Sequence, residues 1–474
     1  MKVFAGIMLN CFAATARRTL GCLVMALSFL SLSALAVSPW TLLVNTNNVI
    51  TVTDPPYNAV ADGVTDNAMA ISNAIVQASK GGTTNGLSGG TVRIPAAAKA
   101  YLCGPIQLRN CVNLQVEAGA LLRMLPLDRY PGRTVSPVGF ITGWGLHDIE
   151  ISGRGAIDGQ GVPWWPYAGV SGARRPIMIR LSNCDRQLIQ DITLSNSPMF
   201  HISITGASAR NTTVQNVIVR APASTDPFLP SHNTDACDVS GTNILVQNCD
   251  ISVGDDNFTC GGNTSDVLIT NNKYGFGHGV SIGSYTAPYV SNMKVINCTF
   301  NNTDQGIRIK SDRDRGGYVH NISYCNLSMT NVARPLLIYC QYTNTTPAYR
   351  ALDNITPAIA ASYPSNAVIR TTPIYRDILI SNVTATAQPN RSAGLIWGLP
   401  EMSISNIVLA KINIKASWAF GIYCAKGVQF VDAQITTPAG VTNLASYNAA
   451  IALTNSGPAA GSLHGITPLA SAEP

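Results

Sequence analysis

The residues of this chain that could do chemistry lie in four short segments between residues 216 and 326. In order, they are Asp235 in Asn-Thr-Asp, Asp255 and Asp256 in Gly-Asp-Asp, His278 in Gly-His-Gly, and Arg308 and Lys310 in Arg-Ile-Lys. Three carboxylates held together repel one another, which raises at least one pKa and retains a proton near mildly acidic pH. Acid–base hydrolysis of a glycosidic bond requires this arrangement and needs neither a metal ion nor a cofactor.

The spacing of these segments is as informative as their residue types. Asp235 precedes Asp255 by 20 residues, Asp255 precedes His278 by 23, and His278 precedes Arg308 by 30. Each interval is about one coil of a parallel solenoid, so the segments are expected to stack and line one groove. Because side chains alternate along a strand, Arg308 and Lys310 would face the same side. There they could bind a substrate carboxylate, so the groove suits a uronic acid polymer.

Each segment has an ordinary structural explanation when it is taken alone. Asp-Asp and Asn-Thr-Asp are common in solvated turns, Gly-His-Gly makes tight bends, and Arg-x-Lys often lies on an exposed strand. Their arrival on successive coils is what favours a functional site.

An internal repeat predicts the architecture that positions these residues. A pattern of apolar residues around Asn or Asp recurs at intervals of 23 to 32 residues, with one interval of 56 that equals two coils. Its anchors are Asp191, Asn216, Asn248, Asn271, Asn297, Asn326, Asn382 and Asn406, and Asp432 continues the series. Short strands at this period predict an all-β protein, a single right-handed parallel β-helix. Asparagines at one turn position can stack into a hydrogen-bonded ladder.

The ends of the chain differ from the repeats. Residues 1–36 combine Lys2, Arg17 and Arg18 with an apolar run that ends in Ala-Leu-Ala, which predicts a secretory signal peptide and export. Residues 37–54 form a lead-in, residues 55–442 the catalytic β-helix, and residues 443–474 a loosely ordered tail. A helix over residues 65–80 is expected to cap the apolar core at its N-terminal end.

Composition excludes several classes of protein. Only 12% of residues are charged and 46% are apolar, as expected for many short strands, and no basic run suggests nucleic-acid binding. Removing the leader lowers the formal charge from +6 to +3 and leaves no downstream segment that resembles a membrane anchor. Ten cysteines remain, and most of them are expected to be small buried residues of the coils, because no Cys-x-x-Cys pair indicates a metal site.

The four segments, taken in order, resemble those of a known protein family. The ordered set Asn-Thr-Asp, Gly-Asp-Asp, Gly-His-Gly and Arg-Ile-Lys is similar to that of the polygalacturonases, the pectin-cleaving glycoside hydrolases of family 28. Further similarity lies in Ile157–Gly161, Arg175-Pro176, Asn196–His201 and Gln341-Tyr342. The resemblance covers residues 55 to 440 and implies a parallel β-helix enzyme that hydrolyses α-1,4-linked galacturonan with inversion. We expect the protein to be a monomer.

The resemblance also implies a role for each site residue. Asp255 would be the general acid, Asp235 and Asp256 would hold and deprotonate water, and His278 would tune the protonation of the acid. Arg308 and Lys310 would bind the galacturonate carboxylate beside the scissile bond, and Tyr342 would shape the same subsite.

Two departures from the family pattern leave alternatives open. Asn257 replaces a cysteine that fungal and plant members commonly have after the Asp pair, and extra sequence follows Tyr342 and could close one end of the groove. Endo cleavage is expected, with exo cleavage or hydrolysis of rhamnogalacturonan or xylogalacturonan as alternatives. A pectate lyase would need Ca²⁺ ligands, and a non-catalytic polysaccharide-binding β-helix would not need the complete polar set.

Overall fold

The computed structural model of this chain describes residues 37–343 and 351–456. The leader predicted over residues 1–36 and the last part of the predicted tail lie outside the described residues. Almost every element in the described part is a strand, and all pairings between named strands are parallel. The predicted parallel β-helix is therefore confirmed.

Three parallel sheets run along the molecule, and each coil contributes a strand to each sheet. Sheet A comprises β1 (Val49–Thr51), β2 (Gly90–Ile94), β5 (Val112–Val116), β8 (His147–Ser152), β11 (Asp185–Gln190), β14 (Arg210–Gln215), β17 (Thr242–Gln247), β20 (Thr264–Thr270), β23 (Tyr289–Ile296), β26 (Tyr318–Val332), β28 (Ile374–Ala387) and β30 (Ile404–Lys415). Sheet B comprises β3 (Tyr101–Cys103), β6 (Leu121–Met124), β9 (Ala156–Asp158), β12 (Thr193–Ser195), β15 (Ile218–Arg220), β18 (Asp250–Ser252), β21 (Lys273–Tyr274), β24 (Thr299–Asn301), the C-terminal parts of β26, β28 and β30, and β32 (Gln434–Thr436).

The third sheet is called the groove sheet below. It comprises β4 (Ile106–Gln107), β7 (Ile141–Trp144), β10 (Ile179–Ser182), β13 (Ile202–Thr205), β16 (Cys237–Val239), β19 (Phe258–Cys260), β22 (Val280–Ile282), β25 (Gln305–Lys310), β27 (Arg334–Tyr339), β29 (Ser392–Trp397), and the N-terminal parts of β31 (Trp418–Val431) and β33 (Leu444–Thr454). The C-terminal parts of β31 and β33 continue sheet A.

The apolar core lies between the three sheets and is built by stacking equivalent residues of successive coils. Val280, Ile307 and Leu336 are in register on neighbouring strands of the groove sheet and are almost completely buried. Strand alternation sends their neighbours in sequence to the outer face, where the groove lies.

The predicted Asn and Asp anchors occupy the turns between sheets. All nine have a positive φ, from 50° at Asp432 to 57° at Asn271 and Asn297. Asn tolerates this left-handed backbone better than most residues do, and its side chain can also bond between coils. The amide of Asn216 donates to Asp191 at 2.9 Å, and that of Asn326 donates to Asn297 at 3.1 Å. The predicted ladder is therefore present at these coils.

One helix and one tail boundary refine the predicted organisation. The cap helix spans Ala68–Ala78, within the predicted residues 65–80, and buries Ile71, Ala74, Ile75 and Ala78. The β-helix extends beyond both predicted limits, because β1 precedes residue 55 and β33 follows residue 442. The Ala-rich composition of β33 gives no clear strand periodicity, which is why the sequence did not predict this strand.

Three short helices lie in loops. They are a 3-10 helix (Trp165–Tyr167), a second 3-10 helix (Leu352–Asn354) and a short α-helix (Pro357–Ala361).

The cysteines behave mainly as small core residues. All ten cysteines of the described part are free thiols, and nine of them are buried. Within residues 37–343 and 351–456, no helix combines the length and the apolar character needed to cross a membrane.

Candidate active site

The predicted site residues lie on consecutive strands of the groove sheet. Asp235 comes just before β16, Asp255 and Asp256 before β19, and His278 before β22. Arg308 and Lys310 belong to β25, and Tyr342 follows β27. Because β16, β19, β22 and β25 pair in that order, the four segments meet as their coil spacing predicted. The pairing of β25 with β27 brings Tyr342, which the resemblance had named, to the same place.

The three carboxylates form one cluster. An oxygen atom from each of Asp235, Asp255 and Asp256 lies within 4.8 Å of the others. Asp235 and Asp256 are 6% and 2% exposed, whereas the side chain of Asp255 is 18% exposed. Asp255 is therefore the member of the cluster that a molecule in the groove reaches first.

Asp255 is held in place by hydrogen bonds from backbone and amide groups. The backbone N–H of Asn233 donates to Oδ2 at 3.1 Å, and the Asn233 amide donates to the same oxygen at 3.3 Å. The N–H of Asp256 donates to Oδ1 at 2.9 Å. Asn233 is itself oriented by Arg175, whose guanidinium donates to its side-chain oxygen at 2.7 Å.

Asp256 is a buried anion that two cations neutralise. Arg308 donates to Oδ1 and Lys310 to Oδ2, both at 2.9 Å, and the Ser281 hydroxyl donates to Oδ1 at 2.7 Å. Burial alone would raise the pKa of Asp256, but Lys310 and Arg308 lower it to about 2. Asp256 is thus ionised throughout the range in which most proteins are folded.

Asp235 has the opposite electrostatic character. Burial and the neighbouring Asp255 and Asp256 raise the pKa of Asp235 well above its ordinary value. Its Oδ1 is buried and has no hydrogen-bond partner among the described residues. A buried acceptor of this kind is a natural position for a water molecule or a substrate hydroxyl. The cluster therefore combines a carboxyl whose ionised form is favoured, Asp256, with one whose neutral form is favoured, Asp235.

A buried histidine supports the loop that carries Asp235. The backbone N–H of His201 donates to the carbonyl of Asp235 at 2.8 Å, and its ring Nδ1 lies 3.1 Å from the carbonyl of Thr234. Burial lowers the pKa of His201 to about 4, so its ring is neutral at physiological pH. His201 therefore has a structural role beneath the cluster.

His278 lies between two carboxylates. Its Nδ1 is 2.9 Å from Asp304 Oδ2, and its Nε2 is 3.8 Å from Asp255 Oδ1. Burial alone would raise the pKa of Asp304, but His278 lowers it. The imidazole ring of His278 therefore lies between Asp304 and Asp255.

The Gly-His-Gly segment is shaped by the close approach of the next coil. Gly279 has a φ of 69°, and a Cβ atom added there would lie 2.2 Å from the carbonyl oxygen of Gln305. Its N–H donates to the side-chain oxygen of Asn257 at 2.8 Å. The Asn257 amide donates to the carbonyl of Phe276 at 2.8 Å. Asn257 therefore ties the carboxylate loop to the histidine loop by hydrogen bonds.

The basic pair differs in one respect from the expectation. Arg308 and Lys310 face the groove as predicted, but both already bind Asp256. The ring of Tyr342 lies 5.1 Å from the Lys310 nitrogen and 5.9 Å from the Arg308 guanidinium carbon, and Tyr342 is 38% exposed. Since an ammonium has three donors and a guanidinium five, each cation retains donors for a second anion. Strand alternation predicts the face of these residues but not their first partner.

Sequence reasoning missed Asp238, which belongs to the same surface. On successive strands of the groove sheet, Asp238 is in register with Thr259, Thr259 with Ser281, and Ser281 with Arg308. These residues therefore form one column on the outer face of the sheet. Burial, with Asp256 nearby, raises the pKa of Asp238 to about 7. Alternation in Cys237-Asp238-Val239 was the available signal, since the two flanking residues are apolar and face the core.

The cluster is poorly suited to a divalent cation. Both oxygens of Asp256 already bind Arg308 and Lys310, whose positive charges oppose a metal ion at this position. A second group, Cys111, His147 and Asp148, also brings potential ligands together. There, Arg186 occupies both oxygens of Asp148, at 2.7 and 2.6 Å.

Comparison with known proteins identifies the family. The model of glycosyl hydrolases family 28 matches residues 93–358, which include all seven predicted site residues. The chain belongs to this family and is a glycoside hydrolase. A probable polygalacturonase of Arabidopsis thaliana is 31% identical over 331 residues, which are 67% of this chain and 66% of that protein. An endo-polygalacturonase of Pectobacterium carotovorum is 31% identical over 288 residues, which are 54% of this chain and 69% of that protein.

Solved structures agree on the fold of this family 28 protein. A polygalacturonase from Erwinia carotovora matches with a TM-score of 0.60 and 23% identity, over 88% of this chain and 99% of that one. An exopolygalacturonase from Thermotoga maritima matches with a TM-score of 0.61 and 18% identity, over 87% and 94% of the two chains. The curated relatives are matched over about two thirds of their length.

Proposed function

We propose that this protein is a polygalacturonase, which hydrolyses α-1,4-galacturonosyl linkages of pectin. The observation that carries the proposal is the contact of Asp256 with Arg308 and Lys310 beside Asp235 and Asp255. Carboxylates supply acid–base catalysis, and the cations suit a sugar that carries a carboxylate.

Asp255 is assigned as the general acid. It is the most accessible carboxyl of the cluster, and His278 lies 3.8 Å away. Burial favours the neutral form of Asp235, so the cluster keeps a proton under mildly acidic conditions. In the reaction, Asp255 passes a proton to the leaving glycosidic oxygen as the bond to the anomeric carbon breaks.

Asp235 and Asp256 are assigned to the attacking water. The unpartnered Oδ1 of Asp235 is positioned to hold it, and ionised Asp256 can accept the proton that water loses. The water oxygen bonds to the anomeric carbon on the face opposite the leaving group. This single displacement inverts the configuration at that carbon.

Substrate binding is assigned to Arg308, Lys310 and Tyr342. The two cations would share their remaining donors with a galacturonate carboxylate, as charge-assisted hydrogen bonds. The partly exposed ring of Tyr342 lies against both cations and would contact the sugar bound there.

Digestion of polygalacturonate tests the proposal and separates it from its nearest alternative. The purified protein should release reducing ends without an ultraviolet-absorbing unsaturated product, and a chelator should leave the rate unchanged. An unsaturated product and loss of activity with chelator would establish elimination instead. Asp255→Asn should lower kcat by about 10²–10⁴-fold without loss of galacturonan binding. Asp226→Asn, at a partly exposed loop carboxylate that lies outside the cluster and accepts backbone hydrogen bonds from Phe228 and Leu229, is the matched control and should retain full activity.

Export and assembly are also proposed. The leader predicts a secreted protein that begins near Val37 and acts on pectin outside the cell. We propose that the mature protein is a monomer that binds neither nucleic acid nor membrane. Intact mass of the protein from culture medium and size-exclusion chromatography with light scattering test both statements. A retained leader or a stable dimer would contradict them.

A further inference from the structure

The outer face of the groove sheet changes character directly beyond the cations. Lys310 is in register with Tyr339, then Trp397, then Tyr423 on the following strands. Lys310 faces the groove, and these three aromatic residues continue its column. They are 5%, 0% and 1% exposed, although residues on an outer face normally meet solvent. Another part of the chain must therefore cover this end of the groove.

The covering element is residues 351–372, called the cover segment here. The ring of Tyr363 packs edge-on against Trp397 with centroids 5.5 Å apart, and the Tyr423 hydroxyl donates to the carbonyl of Ile355 at 2.7 Å. Ile355, Ala360 and Tyr363 are themselves buried. The cover segment thus fills the space above the aromatic column with packed protein.

Charged residues fix the cover segment on two sides. Asp353 forms ion pairs with Arg334 of β27 and with Arg391, just before β29. On the other side, Arg313 lies over the ring of Tyr363 at 4.9 Å and donates to the carbonyl of Pro364 at 2.8 Å. Arg313 follows Lys310 by three residues, so the cover segment is attached next to the catalytic strand.

The opposite end of the groove has a different surface. Arg180 is exposed on β10 and lies in the outer column two strands before Asp238. A cavity of about 330 Å³ there is lined by Arg174, Arg175, Arg180 and Tyr167, among others. Positive charge and open space at this end fit the long part of an acidic polymer.

We propose that the cover segment closes the groove beyond Arg308 and Lys310, so that cleavage releases a short product of fixed length from one end of the galacturonan chain. The inference rests on the proposed polygalacturonase activity and concerns where along the polymer it acts. A long chain can leave the site only on the Arg180 side, because Tyr339, Trp397 and the cover segment occupy the other side. The resemblance to the polygalacturonases favoured endo cleavage, although the extra sequence after Tyr342 had left closure of one end of the groove open.

The product pattern of the wild-type protein tests the inference directly. Polygalacturonate is digested, oligomers are separated by anion exchange from the first minutes onward, and viscosity is followed in parallel. A single short product from the start, with a slow fall in viscosity, is expected. An early ladder of mixed oligomers with a rapid fall in viscosity would overturn the cover proposal but leave the hydrolase intact. Absence of any released galacturonate would overturn both.

Variants of the cover segment test its role. Tyr363→Ala and the double variant Asp353→Ala/Tyr363→Ala should produce longer oligomers at several times the wild-type proportion. Tyr289→Ala, at a partly exposed tyrosine of β23, is the matched control and should keep the single product. If the double variant does not fold, Arg313→Ala removes fewer contacts of the cover segment. It should also raise the proportion of longer oligomers. A folded variant with an unchanged single product would show that the cover segment does not set product length.

Discussion

Lys310 donates a hydrogen bond to Asp256 across 54 residues of sequence, with Nζ 2.9 Å from Oδ2. Arg308 binds the other carboxylate oxygen, so one buried anion balances two nearly buried cations. In the proposed mechanism Asp256 also accepts the proton of the attacking water, and Arg308 and Lys310 also bind the galacturonate carboxylate. The proposed water site and the proposed substrate site would therefore share one ion-pair network.

Asp256→Asn should cost both stability and activity. The substitution leaves Arg308 and Lys310 buried without a compensating charge, which destabilises proteins by about 3–5 kcal/mol. Urea unfolding should show this loss, and kcat should fall as for Asp255→Asn. Asp255→Asn is the matched comparison, because Asp255 is more exposed and binds no cation as closely. Equal stability of the two variants would contradict the structural importance of the network.

Asp238 should make the protein less stable as pH rises. Burial raises the pKa of Asp238 from its ordinary value of 3.8 to about 7. Between these values the folded protein holds on Asp238 a proton that the unfolded chain has lost, so the contribution of Asp238 to stability is fully present below about pH 4 and is lost as the pH rises to about 7. Asp235 acts in the same direction, because its pKa is also raised.

Asp238→Asn should therefore flatten this pH dependence. The melting temperature is measured from pH 4 to 7, and the wild type should lose more stability over this range than the variant. Asp432→Asn, at an exposed turn carboxylate, is the control and should follow the wild type. Parallel curves for the wild type and Asp238→Asn would show that Asp238 titrates normally.

The sequence predicted the coil stacking and the assembly of the site because both follow from periodicity. Asp235, Asp255, His278 and Arg308 meet since each lies about one coil after the last, and strand alternation placed Lys310 beside Arg308. The partners of Lys310 could not be predicted, because alternation gives a face and not a contact distance. Asp238 was not predicted as a site residue, because one polar residue between two apolar ones is common in any strand with a polar outer face.

Two other features had no periodic signal. The strand Leu444–Thr454 is rich in Ala, so the contrast between core and surface positions is weak. The cover segment is held by the isolated residues Asp353, Ile355 and Tyr363, and its position depends on contacts with residues up to 68 positions away. Pairings of this kind require the folded coils as a template.

The stereochemistry of the product tests the assigned roles of the carboxylates. Their nearest oxygens lie within 4.8 Å of one another, whereas the two carboxyl groups of most inverting glycosidases are about 6.5–9.5 Å apart. We expect inversion, with Asp235 and Asp256 holding the water that Asp255 does not contact directly. Proton NMR of the first product should show the β anomer, which then mutarotates. Initial formation of the α anomer would indicate a covalent intermediate on one of these aspartates.

Arg180→Ala should weaken the binding of long substrates more than that of short ones. Arg180 lies on the open side of the groove, where only a chain that extends past Asp238 reaches it. One exposed ion pair contributes about 0.2–1 kcal/mol, so KM for polygalacturonate should rise by up to about fivefold with kcat unchanged. The difference in KM between the variant and the wild type should decrease in high salt, because exposed charges are screened. Lys415→Ala, at an exposed cation of β30, is the control, and an equal rise in KM for the shortest cleavable oligomer would exclude a distal site at Arg180.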